Sequence, residues 1–474
     1  MKATLAVAFI VILCLSMFSA LAPKVIAQQS SANWPMFHAD PSHSGVGTGN
    51  PVLTPTLLWN YTTGGGIGSS PAVVGGVVYI GSYDGKVYAL NAASGIQLWN
   101  YTAGATVESS PAVVNGVVYI GSEVSTVLNG NYFGSVYALN ATNGNKLWNY
   151  TTGNYYNYVE SSPTVVNGVV YIGSSEGITP EPPTFASVGN VYALNATNGA
   201  KLWNYTTGSN VDSSPALVGG VVYVGSGNGN VYALNASSGE KLWIYTTNGW
   251  VDSSPAVVDG VVYVGSFDSN VYALNASSGA KLWIYTTGAP VFSSPAVVNN
   301  VVYVGSLNGN VYALNATNSH KLWNYTTGGT QSSPAVVGGV VYVGSGASFY
   351  ALNASSGAKL WNYTTGYALS SPAVVNGVVY IGSLDDNVYA LGGSSTSSDT
   401  LLIIIGVVVA VVIIAAVVFL MFRKRLKTKP TSPASPPQNS SSASSFQISQ
   451  RLAEIRLKGS FSYLILILIT RKNV

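Results

Sequence analysis

The sequence predicts an all-β fold: an eight-bladed β-propeller of four-stranded antiparallel blades, closed by an N-terminal strand, plus one C-terminal transmembrane helix. Three observations predict it. A strand-rich unit recurs eight times at spacings of 38–52 residues. The last copy lacks its final strand, and a spare copy of that strand precedes the first unit. A charge-free apolar run near the C terminus is followed at once by basic residues.

Residues 1–27 read as a secretory signal. Lys2 precedes an apolar run from Leu5 to Leu21, and Val25-Ile26-Ala27 is a small-residue cleavage site. The alternative is an uncleaved anchor helix. Cys14, the only cysteine, falls in this run, so the region after it is expected to carry neither a disulfide nor a thiolate metal site. Residues 28–55 form a lead-in to the repeats.

The propeller is expected over 56–392. Ser-Ser-Pro-Ala-Val-Val recurs, with small changes, at Ser69, Ser109, Ser161, Ser213, Ser253, Ser293, Ser332 and Ser370. Each copy continues into Val-Val-Tyr-(Ile/Val)-Gly-Ser, then Val-Tyr-Ala-Leu-Asn, then Lys-Leu-Trp-Asn-Tyr-Thr-Thr. These runs are short, rich in Val, Tyr and Thr, and bounded by turn residues, as strands are. The first turn of each unit is a dipeptide such as Gly75-Gly76, Asn115-Gly116 or Asp259-Gly260. Such residues tolerate the positive φ that a two-residue hairpin demands. Four strands per unit and eight units make a propeller. The eighth unit ends at Val388-Tyr389-Ala390-Leu391, and Leu58-Trp59-Asn60-Tyr61-Thr62-Thr63 supplies the missing strand. The recurrent Trp59, Trp99, Trp148, Trp203, Trp243, Trp283, Trp323 and Trp361 are expected to pack between blades.

Residues 393–400 are a linker. The span 401–422 holds 22 residues without a charge. As a helix it would be roughly 33 Å long, which suits a bilayer core of about 30 Å. Arg423, Lys424, Arg425, Lys427 and Lys429 follow, so the C-terminal side is expected in the cytoplasm and the propeller outside. The tail, 423–474, is Pro/Ser-rich and expected to be mostly disordered; its apolar end, Phe461–Thr470, is too short to span.

Charge is unevenly placed. Between Gln28 and Asp399 lie 15 acids and 7 lysines and no arginine, a net of −8, whereas 10 basic residues and one acid follow Leu401. A mildly acidic folded region argues against nucleic acid as partner.

The unit Ser-Ser-Pro-Ala-Val, Val-Tyr-Val-Gly-Ser, Val-Tyr-Ala-Leu-Asn, Lys-Leu-Trp resembles the PQQ-like β-propeller repeat. The lead-in Trp34-Pro35-Met36-Phe37-His38-Ala39-Asp40-Pro41 is similar to that family too. The resemblance covers about 34–392. It implies an eight-bladed propeller, as in quinoprotein dehydrogenases and the assembly lipoprotein BamB. The dehydrogenases bind pyrroloquinoline quinone and calcium and use a vicinal cysteine pair, which this sequence cannot supply. The resemblance therefore carries fold better than function. No cofactor is expected, with the quinone and calcium as the alternative.

Function in a repeat protein sits where the copies differ. The residue before each Ser-Ser-Pro varies: Gly68, Glu108, Glu160, Asp212, Asp252, Phe292, Gln331, Leu369. Glu108, Glu160, Asp212 and Asp252 place acids on four successive blades, at the start of the innermost strand. Their combined field would attract a cation or cationic ligand. Nearby, the connections Glu123–Gly134 and Ser175–Gly189 are enlarged, Tyr155, Tyr156 and Tyr158 precede the third unit, and Trp250 is a tryptophan outside the repeat pattern. Acids beside aromatic platforms suit a carbohydrate, peptide or cation. The bland reading is a solvated rim with self-packed loops. His38, Asp40 and His43 offer only two ligand types and no third partner, so no metal site is expected. No catalytic residue is singled out.

Sequons recur on the last strand, at Asn60, Asn100, Asn149, Asn204, Asn324 and Asn362, and after the third, at Asn140, Asn195, Asn235, Asn275, Asn315 and Asn353. Outside the membrane such asparagines can carry glycans. The expectation is a non-enzymatic binding or scaffold propeller, anchored by one helix at the cell surface. The alternatives are a quinoprotein-type oxidoreductase and a structural envelope component.

Overall fold

The computed structural model describes residues 33–393, apart from 105, 129–130, 154–156 and 178–186. The chain divides at Ser395, and everything described belongs to the first of its two units. The expected signal (1–27), membrane helix (401–422) and tail lie outside the described residues, as do Tyr155 and Tyr156. Among the described residues no helix is long and apolar enough to cross a membrane.

Eight antiparallel sheets follow one another, each with an inner, second, third and outer strand. Blade 1 uses Ala72–Val74, Val77–Gly81, Lys86–Asn91 and Gln97–Thr102; blade 5 uses Ala256–Val258, Val261–Gly265, Asn270–Asn275 and Lys281–Thr286. Inner strands are three residues long and their hairpins turn through residues of positive φ, such as Asn115 (51°) and Asp259 (51°). In blades 2 and 3 the second and third strands run on into a longer hairpin, Val117–Leu128 with Asn131–Asn140 and Val169–Gly177 with Ser187–Asn195. The described parts of the enlarged connections thus extend the sheet.

The ring closes with the N-terminal strand. Pro55–Thr62 pairs antiparallel with Asn387–Gly393 and completes blade 8. Trp59 is 8% exposed and its indole N–H donates to the Ala92 carbonyl of blade 1 at 2.9 Å. The same bond joins every other outer-strand tryptophan but Trp361 to the next blade, for example Trp99 to Ala141 and Trp283 to Ala316. Blade 8 has no such turn to offer blade 7. Val52 of the lead-in, fully buried, stands in for it: its carbonyl accepts the Trp361 indole at 2.7 Å and its N–H donates to the Tyr342 hydroxyl.

The paired serines of the repeat have a geometric reason. The hydroxyl of each first serine accepts the N–H of its own blade's Gly-Ser glycine, as Ser69 does from Gly81 at 3.0 Å. The hydroxyl of each second serine accepts the N–H of the second serine one blade back. These bonds run from Ser70 through Ser110, Ser162, Ser214, Ser254, Ser294, Ser333 and Ser371 and return to Ser70, all at 2.9–3.0 Å. A hydroxyl both donates and accepts, so one small side chain satisfies a buried amide between blades. The glycine is fixed by space: a Cβ on Gly121 would lie 2.5 Å from the Val159 carbonyl oxygen of the next blade.

The lead-in is part of the propeller. Trp34 exchanges both backbone bonds with Val73 of blade 1, and Pro35 accepts from Val113 of blade 2. The chain then circles the axis. The carbonyls of Pro41, Ser42, Ser44 and Gly45 accept the inner-strand N–H groups of Leu217, Val257, Val297 and Val336, on blades 4 to 7. Blade 3 is reached by a side chain: His43 Nε2 lies 3.2 Å from the hydroxyl of Thr164, the residue that replaces the repeat's alanine there. Val46–Gly47 then pairs in parallel with the inner strand of blade 7. The inner strands would otherwise present unpaired edges to the channel. The lead-in occupies that edge near the hairpin turns and floors the channel at that end.

Candidate ligand-binding site

Each inner strand begins at the opposite end from the lead-in, which is where the blades differ. Glu108, Glu160, Asp212 and Asp252 occupy equivalent positions on blades 2 to 5, each fixed by the Ser-Ser-Pro segment that follows it. All four are half-buried. The structure adds a fifth acid. Glu123 enters from the second strand of blade 2, and the carboxylate oxygens of Glu108, Glu123 and Glu160 all lie within 4.8 Å of one another. The sequence carried a signal for it. The residue after each Gly-Ser varies as freely as the one before Ser-Ser-Pro: Tyr83, Glu123, Ser175, Gly227, Phe267, Leu307, Gly346, Leu384. Two such rows on one face converge at the mouth.

The acids repel one another in a poorly solvated place. Burial, reinforced by Asp212, Glu108, Glu123 and Asp252, pushes Glu160 up to about 9. Burial and then Glu108 push Glu123 up to about 7. Burial and then Asp212 push Asp252 up to about 6. Burial raises Asp212 too, although the Ser175 hydroxyl donates to its Oδ1 at 2.7 Å. Among the described residues the only ion pair is Lys86 with Asp84, at 3.3 Å, so no lysine neutralises the cluster.

Two tyrosines flank the acids. Tyr83 lies beside Glu108, and its own ionisation is pushed up by burial and that carboxylate. Gly68, on the same row as the acids, leaves room for it, since a Cβ there would lie 2.7 Å from the Tyr83 hydroxyl. Tyr158 exchanges two backbone bonds of 3.0 Å with Ser175, and its hydroxyl accepts from Asn210 Nδ2 at 3.3 Å. It is half-buried behind Asp212 rather than displayed as a platform. Trp250 is displayed, at 57% exposure. Its ring lies 5.3 Å from Phe267, which in turn lies 5.5 Å, edge-on, from Phe292. Phe292 occupies the row position next to Asp252. The mouth is therefore acidic on one arc and aromatic on the next.

His38 and His43 do not join the acids. They are 2% and 1% exposed within the lead-in, flanking Phe37, whose ring stacks on His38 at 4.5 Å and meets His43 edge-on at 5.4 Å. Burial lowers them to about 4 and about 3. Asp40 is spent locally, accepting from the N–H and hydroxyl of both Ser42 and Ser44. These residues shape the lead-in; they do not converge on a common point.

The sequon asparagines divide as expected. Asn60, Asn100, Asn149, Asn204, Asn324 and Asn362 are exposed on outer strands. Asn140 and its equivalents, for example Asn275, accept the next turn's N–H groups through Oδ1, on the face of the lead-in.

An eight-bladed ring with this repeat defines a class, the PQQ-like propellers. The chain belongs to that family: the model described as outer membrane protein assembly factor BamB matches residues 52–181 and 187–391. The chain matches none of the curated proteins compared with it. Solved structures share the fold. BamB from Moraxella catarrhalis is 18% identical, with a TM-score of 0.57 over 72% of this chain and 100% of that one. A europium-containing methanol dehydrogenase is 14% identical, with a TM-score of 0.62 over 77% and 98%. The quinohemoprotein alcohol dehydrogenase from Comamonas testosteroni is 15% identical, with a TM-score of 0.62 over 77% and 81%.

Proposed function

We propose that this propeller is a non-enzymatic binding or scaffold protein that takes a cationic ligand at its acidic mouth. One observation carries the reading: five carboxylates share a half-buried site where, among the described residues, no lysine or arginine pairs with them. Holding such groups together is unfavourable for the empty protein, and that kind of cost is characteristic of functional sites. A cation entering the mouth relieves it.

The fold family raises the question of a quinone and its calcium ion. The donor set of Glu108, Glu123 and Glu160 suits a hard divalent cation. It does not suit pyrroloquinoline quinone, whose own carboxylates would meet a mouth lined by acids. The cysteine pair of the dehydrogenases is missing as well, since the one cysteine is Cys14. These features favour the cation over the quinone as the occupant of the mouth. Purified full-length protein, titrated with calcium and separately with quinone plus calcium, is expected to gain thermal stability with the cation alone. It is expected to show neither quinone absorbance nor dye reduction. Quinone binding with dye reduction would replace the binding reading with the enzymatic one.

The propeller is proposed to stand outside the cell, held by the 401–422 helix, with glycans on the perimeter and on the lead-in face. The sequon geometry supports this by leaving the acidic mouth bare. Intact mass before and after enzymatic or chemical deglycosylation is the check. A mass equal to that of the bare polypeptide in protein from its native host would remove the glycan part of the proposal.

A further inference from the structure

Two adjacent blades depart from the others in the same direction. On six outer strands the residue after tryptophan is asparagine; on blades 4 and 5 it is Ile244 and Ile284. Both are exposed, at 42% and 39%. The chain leaving the first of these strands carries Trp250, and blade 5 carries Phe267, itself 43% exposed. From Trp250 the rings step through Phe267 to Phe292 at the mouth, where Asp252 holds the neighbouring position. In this sector the two isoleucines replace the polar residue of the other outer strands, and the three rings give an apolar path from Trp250 to the acidic arc.

We propose that this sector is a docking face for a polypeptide segment that alternates aromatic or aliphatic side chains with lysine or arginine. The inference rests on the cationic-ligand reading of the mouth and names the ligand's class. Charge complementarity selects the occupant. A purely apolar partner would leave the carboxylates unneutralised, and a simple cation would leave the rings in water. A segment with both kinds of side chain meets the ladder with one and the acids with the other. Exposed tryptophan and phenylalanine at the edge of a charged patch are the usual anchors of such contacts. The two isoleucines also remove both outer-strand sequons on this side, so the approach to the sector stays clear.

The test uses the full-length chain in detergent micelles and three synthetic octapeptides: alternating Phe-Lys, alternating Ser-Lys and alternating Phe-Glu. The Phe-Lys peptide is expected to bind at least about tenfold more tightly than either control. Trp250→Ser with Phe267→Ser is expected to abolish that advantage while leaving Ser-Lys binding and the melting temperature unchanged, since both rings are exposed. If the double variant binds the Phe-Lys peptide as well as wild type does, the docking face is refuted. If Phe-Lys and Ser-Lys bind wild type equally, the docking face fails and the cationic mouth stands. If neither a peptide nor calcium binds, both readings fail.

Discussion

Replacing Glu160 with glutamine is expected to raise the melting temperature of the ligand-free protein by several degrees near pH 9 and to leave it nearly unchanged near pH 5. Glu160 lies at the centre of the acidic cluster, and its folded pKa of about 9 is far above the unfolded value of about 4.3. A raised carboxyl pKa gives stability that is fully present below the unfolded value and lost as pH rises through the folded one. Glu123, at about 7, and Asp252, at about 6, act in the same direction. Wild-type stability should therefore decline from about pH 5 to pH 9 as these protons leave. Glutamine carries no proton to lose. The gain is on the order of 2 kcal/mol once partial hydration of the mouth is allowed for, a few degrees for a ring of this size. The same variant should bind calcium more weakly. Calorimetry across that pH range decides the matter: parallel wild-type and variant curves would show that the carboxylates are independently solvated.

Acid limits the molecule from the other side. His38 and His43 are neutral in the fold, lowered to about 4 and about 3 by burial. A depressed histidine pKa gives stability present above about 6.5 and lost as pH falls toward the folded values. The lead-in should loosen in that lower window, when protonation would place charge beside Phe37 in the channel floor. Thr164→Ala removes the His43 partner on blade 3 and should lower overall stability, so that acid unfolding begins at a higher pH.

Deleting residues 55–62 is expected to abolish cooperative thermal unfolding, and Trp59→Ala to lower the melting temperature by about 5 °C or more. The strand forms the outer strand of blade 8, where Trp59 packs on Tyr380 of the same blade at 5.9 Å, and the Trp59–Ala92 bond anchors it to blade 1. Emptying a buried tryptophan site costs about 3–5 kcal/mol. Without the strand, the third strand of blade 8 becomes an open edge and the seam between blades 8 and 1 loses its packing. Trp283→Ala serves as the internal control. It removes equivalent packing at blade 5 but leaves the closing strand intact, so its unfolding should stay cooperative. A deletion variant that melts in one transition at the wild-type temperature would show that the ring holds without its closing strand.

Much of this architecture is legible in the sequence because the repeat states it eight times. The Val-Tyr strands, the Gly/Asn turns and the displaced Leu58-Trp59 strand fix blade number, strand order and closure. The variable position before Ser-Ser-Pro also gave four of the five acids. Glu123 was harder to see, since it comes from a different strand and reaches the cluster only across a sheet. Trp250 could be singled out as a departure from the repeat, but its partnership with Phe267 and Phe292 spans two blades and appears only in three dimensions. Tyr158 reads as an exposed aromatic in a loop, whereas its backbone pairing with Ser175 draws it in behind Asp212.

The lead-in marks the boundary most clearly. Its sequence has no strand alternation, and His38, Asp40 and His43 look at best like a weak ligand set. What decides its role is a property that no local window contains. Inner strands of successive blades direct unpaired N–H groups toward one axis, and a single extended segment can satisfy them in turn only if the ring is already closed. Local periodicity and turn chemistry thus determined the blades and their order. The floor of the channel, the convergence of five carboxylates and the shifted ionisation that follows were decided by closure, which brings residues far apart in the chain to one poorly solvated axis.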